Sequence, residues 1–118
     1  MMTAEKIRNL ISQGEVRNTN VEFKTCKNEV GQSVYESICA FLNRHGGEIL
    51  MGVDYSGNIV GLNEKSIDNH IKNIISTLNN IEIFNNQEGY ILAVALLFGK
   101  EQTVLNYCPW HRTDAICR

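Results

Sequence analysis

Glu22 and Lys24 alternate with Val21 and Phe23 in the segment VEFK. That period of two predicts a short strand with both apolar side chains on one face and the carboxylate and ammonium together on the other. A carboxylate can help to hold a cation, and an ammonium can offset phosphate charge. The plainer alternative is a strand-face ion pair worth about 0 to 1 kcal/mol. Further along, Arg44-His45-Gly46-Gly47 places a cation, an imidazole and two unhindered backbone amides in succession, and with Lys24 and Lys27 these can meet phosphates. The glycine pair also serves as an ordinary helix stop, and His45 as an exposed loop residue. Asp54 precedes Tyr55-Ser56-Gly57-Asn58, where an aspartate starts a turn by accepting backbone hydrogen bonds.

These residues need elements to hold them. Thr3 is a candidate N-cap for a short helix carrying Ile7, Leu10 and Ile11, and Gly14 is its candidate stop. Val30, Val34, Ile38, Phe41 and Leu42 form a second helical stripe that ends at Gly46-Gly47. Ile49 to Val53 reads as an apolar strand, and the turn at 55–58 leads into Ile59, Val60 and Leu62, so a hairpin is expected. Ile67, Ile71, Ile74, Ile75 and Leu78 mark a third helix with Asn63 as its candidate cap. Ile81 and Ile83, a polar stretch, and Tyr90 to Phe98 suggest a second hairpin. Beyond Gly99 the pattern weakens: Val104 and Leu105 can start a strand, and Thr113 to Arg118 can begin a helix.

A chain of 118 residues bounds the answer to one domain. At 43% hydrophobic and 20% charged residues it has ordinary globular composition, which argues against disorder. No apolar run approaches the roughly 20 residues that span a bilayer, and the charged start MMTAEKIRNL is no secretion signal. A cytoplasmic protein is expected. The net charge of −2 excludes a surface that grips nucleic acid everywhere by charge. Any such contact is local.

The cysteines Cys26, Cys39, Cys108 and Cys117 lack the paired short spacing of a zinc site, so free thiols are expected, with Cys39 buried in its helix. Cys108, His111 and Cys117 can be drawn as three ligands, yet their spacing fits no standard finger. Tyr107 and Trp110 can stack on bases or anchor the terminal segment.

Taken together and in order, EFK, AFLN, GG, MGVD and VGL resemble the Schlafen AlbA-type DNA-binding domains of bacterial regulators and eukaryotic Schlafen proteins. The resemblance runs from about Gly14 to Phe98, leaving 99–118 outside it. It implies an α+β fold, a mainly antiparallel sheet with helices packed on one face. It implies binding of DNA or RNA by a transcriptional regulator, and pairing into a homodimer. Schlafen-type nucleases imply an alternative: a metal-dependent endoribonuclease in which Glu22, Asp54 and a third, upstream acid hold Mg or Mn. Arg17 stands at the third position, and Glu15 lies two residues earlier. A third alternative is a dimerisation module. The expectation carried forward is a binding domain that needs no cofactor, its site framed by Glu22, Lys24, Asp54 and the glycine pair.

Overall fold

Thr3 opens the first helix as its residue type predicts. In the computed structural model, which describes residues 3–14, 20–26, 30–42, 46–80, 92–98, 101–107 and 116–117, its hydroxyl accepts from the Lys6 amide at 3.1 Å. Helix α1 spans Ala4–Gln13, and the Gly14 amide donates back to the Leu10 carbonyl at 3.1 Å. One side of this short helix is apolar, with Ile7 and Leu10 buried. It cannot stand alone at this length and is held by packing.

Strand β1, Val21–Lys24, shows the expected alternation, with Val21 and Phe23 buried and Glu22 and Lys24 half-buried. Helix α2, Gln32–Leu42, leads into strand β2, Gly47–Met51. The two strands are parallel, with Val21 opposite Glu48 and Lys24 opposite Met51. A short 3-10 turn, Glu64–Ser66, is capped by Asn63, whose side chain accepts from the Lys65 amide. It feeds helix α3, Ile67–Asn80. Strand β3, Leu92–Phe98, then lies parallel to β2, with Gly47 opposite Leu92 and Met51 opposite Leu96. Strand β4, Glu101–Tyr107, returns antiparallel to β3, and the short β5, Ile116–Cys117, pairs antiparallel with β4.

The sheet is therefore mixed, in the order β1-β2-β3-β4-β5, rather than mainly antiparallel. The reason lies in the connections. β1 and β2, and again β2 and β3, are joined across a helix, and a helical crossover returns the chain in the same direction. LAVALLF in β3 is buried on both faces apart from its last residue, as a strand covered from both sides requires.

Helices cover both faces of the sheet, not one. On the first face, Val34, Ile38, Phe41 and Leu42 of α2 and Ile67, Ile74 and Leu78 of α3 pack against Ile49, Met51, Val94, Leu96 and Leu105. On the other, Ile7 and Leu10 of α1 meet Val21, Phe23, Leu50, Ala93, Ala95 and Leu97. Register explains the division, because residues paired across the sheet share a face: Phe23 with Leu50, and Ile49 with Val94.

Three further expectations change. Ile59–Leu62 is not a strand of the sheet; a single antiparallel bridge, Val53 to Ile59, is what remains of that hairpin. The hairpin partner of β3 is β4, while the Ile81 and Ile83 arm expected there lies outside the described residues. Ile116–Cys117 is extended rather than helical, because those residues add to the edge of β4. Among the described residues no helix is long and apolar enough to cross a membrane.

Candidate functional site

The geometry begins with β1 ending beside the point where β2 leaves the sheet. The Gly52 amide donates to the Lys24 carbonyl at 2.7 Å and the Val53 amide to the same oxygen at 3.3 Å. Gly52 sits at φ 95°, and a Cβ there would lie 2.7 Å from the Leu97 carbonyl oxygen. Only glycine combines that backbone angle with so close an approach. The chain thus turns off the sheet at a fixed point, carrying Asp54 past the carboxyl end of β1.

Asp54 then organises its own turn. Its Oδ1 accepts from the amides of Ser56 and Asn58, each at 2.9 Å, and its Oδ2 accepts from the Asn58 side-chain amide at 3.2 Å. Backbone bonds from Asp54 N to Asn58 O and from Gly57 N to Asp54 O, both 3.0 Å, close the loop. The Asn58 amide above all, with Ser56 and Gly57 adding to it, holds the Asp54 carboxyl below the usual carboxylate range. The turn-forming role expected of this residue is present in full.

Glu22 and Lys24 share a face, and the Lys24 ammonium lies 3.3 Å from Glu22 Oε2. The same carboxylate oxygen accepts from the Ser37 hydroxyl on α2. Ser37 has one proton to give and also lies 3.0 Å from the Ser33 carbonyl; the charged acceptor is the stronger of the two. Glu22 is thus fixed from two sides. Sequence reasoning missed Ser37, although its position one turn after Ser33 and one residue before the buried Ile38 places it on the sheet-facing stripe.

Lys24 connects Glu22 to Asp54. Its side chain is only 13% exposed, and it lines a small cleft of about 90 Å3 together with Thr25, Cys26, Ser33, Asp54 and Tyr55. Glu22 stands next to this cleft through Lys24 and is not part of its lining. Both acids and the lysine therefore belong to one corner of the molecule, at the carboxyl ends of two parallel strands. Crevices at such ends are where open α/β sheets bind ligands.

Cys26 forms the inner wall at an unusual φ of 37°. Burial pushes its thiol pKa up, against smaller lowering effects of the Gly31 backbone and the Lys24 charge, so it stays protonated at neutral pH. Its carbonyl is held by His70 of α3, a fully buried ring that sequence reasoning also missed. Cys39, expected to be buried, is exposed, because it lies off the stripe that Val34, Ile38 and Phe41 define.

The glycine pair serves the fold. The Gly46 amide donates to the Phe41 carbonyl at 2.9 Å and so folds back on α2. A Cβ on Gly47 would lie 2.6 Å from the Phe41 ring, so a side chain is excluded there by packing. Glu15, Lys27, Arg44, His45, Cys108, Trp110 and His111 lie outside the described residues.

For a divalent cation the donor set is thin. Both Asp54 oxygens accept from their own turn, Glu22 Oε2 is shared by Lys24 and Ser37, and the described residues contain no group of three histidine, cysteine or acidic side chains placed to hold a metal ion. Those residues do not by themselves compose a metal centre.

Comparison with known proteins gives one result. No curated protein and no solved structure matches the chain. Residues 18–106, a stretch that contains β1 through nearly all of β4 and every residue of the corner just described, match the family described as Schlafen, AlbA_2. The chain belongs to that Schlafen AlbA_2 family.

Proposed function

We propose that the chain is the nucleic-acid-binding module of a cytoplasmic transcriptional regulator. Membership of the Schlafen AlbA_2 family supports a nucleic-acid-binding domain of this type and is the observation that carries the reading. The corner at the ends of β1 and β2 is its site, with Lys24 as the described cation, Tyr55 and Ser33 on the walls, and Glu22 and Asp54 as fixed acids. Glu22 tempers Lys24 by pairing with it, and Asp54 shapes the turn; neither needs a cofactor to do so.

A net charge of −2 leaves few cations to displace the counterions of a nucleic acid, so affinity should fall only gently with salt. A second copy of the chain would add its own basic residues and steepen that slope. The test is binding of labelled duplex DNA, single-stranded DNA and transfer RNA to the purified chain, across a salt series, with and without Mg2+ or Mn2+. Retention of any of these without breakdown is the expected result. Breakdown that needs the metal and disappears in Glu22→Ala would replace this reading with the endoribonuclease. If none is retained, the dimerisation module stands instead.

A further inference from the structure

Tyr55 is 77% exposed, and it is the most exposed large apolar side chain among the described residues. It follows the residue that organises the turn, so its backbone is held by the bonds that Asp54 makes to Ser56 and Asn58. It also lines the cleft that Lys24 and Asp54 share. On the outgoing arm of the same turn, Ile59 and Val60 are 51% and 45% exposed. A stiff turn therefore carries an uncovered aromatic ring and two aliphatic neighbours at the edge of the candidate site.

The charges here favour something other than phosphate gripping. Lys24 is already countered by Glu22 at 3.3 Å, and Asp54 adds another negative group. What the corner offers is a ring face, acceptor oxygens and a hydroxyl from Ser33. A duplex presents phosphates outward and keeps its base faces stacked inside, so it has nothing to lay on that ring. An unpaired base has a free π-face for Tyr55 and polar edge atoms for the cleft.

We propose that Tyr55 is a stacking platform and that the site takes unpaired nucleotides, a single strand or a loop, in preference to duplex. This rests on the nucleic-acid-binding reading and narrows its substrate class. Discrimination comes from the ring, and the salt dependence stays shallow because few phosphates are neutralised.

The experiment uses the full chain and a single-stranded oligonucleotide carrying one 2-aminopurine among pyrimidines, with its matched duplex as the second probe. Wild type, Tyr55→Phe and Tyr55→Ala are compared by anisotropy and by 2-aminopurine emission, with thermal melting to show that all three fold. The expected result is tighter binding of the single strand than of the duplex, with quenched emission for wild type and Tyr55→Phe. Tyr55→Ala should lose about 5- to 150-fold in single-strand affinity and the quenching with it. Single-strand binding that is unchanged in Tyr55→Ala, or a duplex bound as tightly as the single strand, overturns the stacking role and leaves the nucleic-acid-binding reading intact. Absence of binding to both probes overturns the stacking role, and the nucleic-acid-binding reading falls with it when transfer RNA is not retained either.

Discussion

His70 of α3 reaches across the core to the carbonyl oxygen of Cys26, Nε2 to O 2.7 Å, while its Nδ1 lies 2.7 Å from the Ser66 carbonyl. One buried ring thus ties the segment after β1, which walls the candidate site, to the start of α3. A neutral imidazole has one N–H and can donate to one of these oxygens; a doubly protonated ring donates to both. Replacing the ring by an apolar side chain leaves both carbonyls without it. His70→Leu should lower the unfolding free energy by roughly 1–3 kcal/mol, read from urea titration. Amide exchange at Thr25 and Cys26 should accelerate in the same variant.

The ion pair of Glu22 and Lys24 makes a second prediction, in which stability and binding respond differently. The two side chains are 34% and 13% exposed, so solvent screens the pair, and Glu22→Gln should change stability by at most about 1 kcal/mol. The same change releases Lys24 from its counter-charge. Nucleic-acid affinity at low salt should rise about 2- to 5-fold, equivalent to ~0.5–1 kcal/mol, and Lys24→Gln should lower it by a similar factor. A filter-binding series on the two variants checks both signs.

Acid should loosen the turn at Asp54. Its carboxyl is held below the ordinary value chiefly by the Asn58 amide, so its contribution to the folded state is fully present above about pH 4, the usual aspartate range. That contribution fades as pH drops through the lowered native value. Protection of the Ser56 and Asn58 amides, their exchange rates taken relative to the intrinsic rate at each pH, should be constant from neutral pH down to that range and fall below it. Asp54→Asn should retain one acceptor oxygen and abolish the pH dependence.

Packing between Gly47 and Phe41 supplies a structural test. Phe41 is 3% exposed and has little room to swing away, so Gly47→Ala, whose Cβ would meet the ring at 2.6 Å, should cost about 1–3 kcal/mol. Shortening the ring side chain should recover part of this. In a double-mutant cycle, Phe41→Leu with Gly47→Ala should be less destabilised than the sum of the two single changes.

Local features were legible in the sequence because they depend on near neighbours. Thr3 and Gly14 bound α1 through bonds three and four residues away, and the VEFK alternation separates Phe23 from Glu22 and Lys24 whatever the strand pairs with. Strand direction is a different kind of information. The apolar stretches Ile49–Met51 and Leu92–Phe98 do not record which neighbour they will meet, so the parallel β1-β2-β3 half of the sheet and the placing of α1 on the opposite face came only from the structure. In the site, the shared face of Glu22 and Lys24 and the turn at Asp54 were readable, again as short-range chemistry. Ser37 and His70 were not, because their partners lie 15 and 44 residues away. Their one visible signal is a polar residue standing at a core-facing position of an otherwise apolar helical stripe.

The central place of β3 also governs when the molecule can come into being. Strands β1 and β2 are translated before β3, and the segment that completes the hydrogen bonding of β2 begins only at Leu92, so a growing polypeptide must carry two half-built apolar faces until that segment has emerged. Long-range pairing of this sort is slow and leaves sticky surface in the open. A ribosome stalled before Leu92 would therefore display an aggregation-prone nascent chain, and a chaperone has the most to offer in that interval.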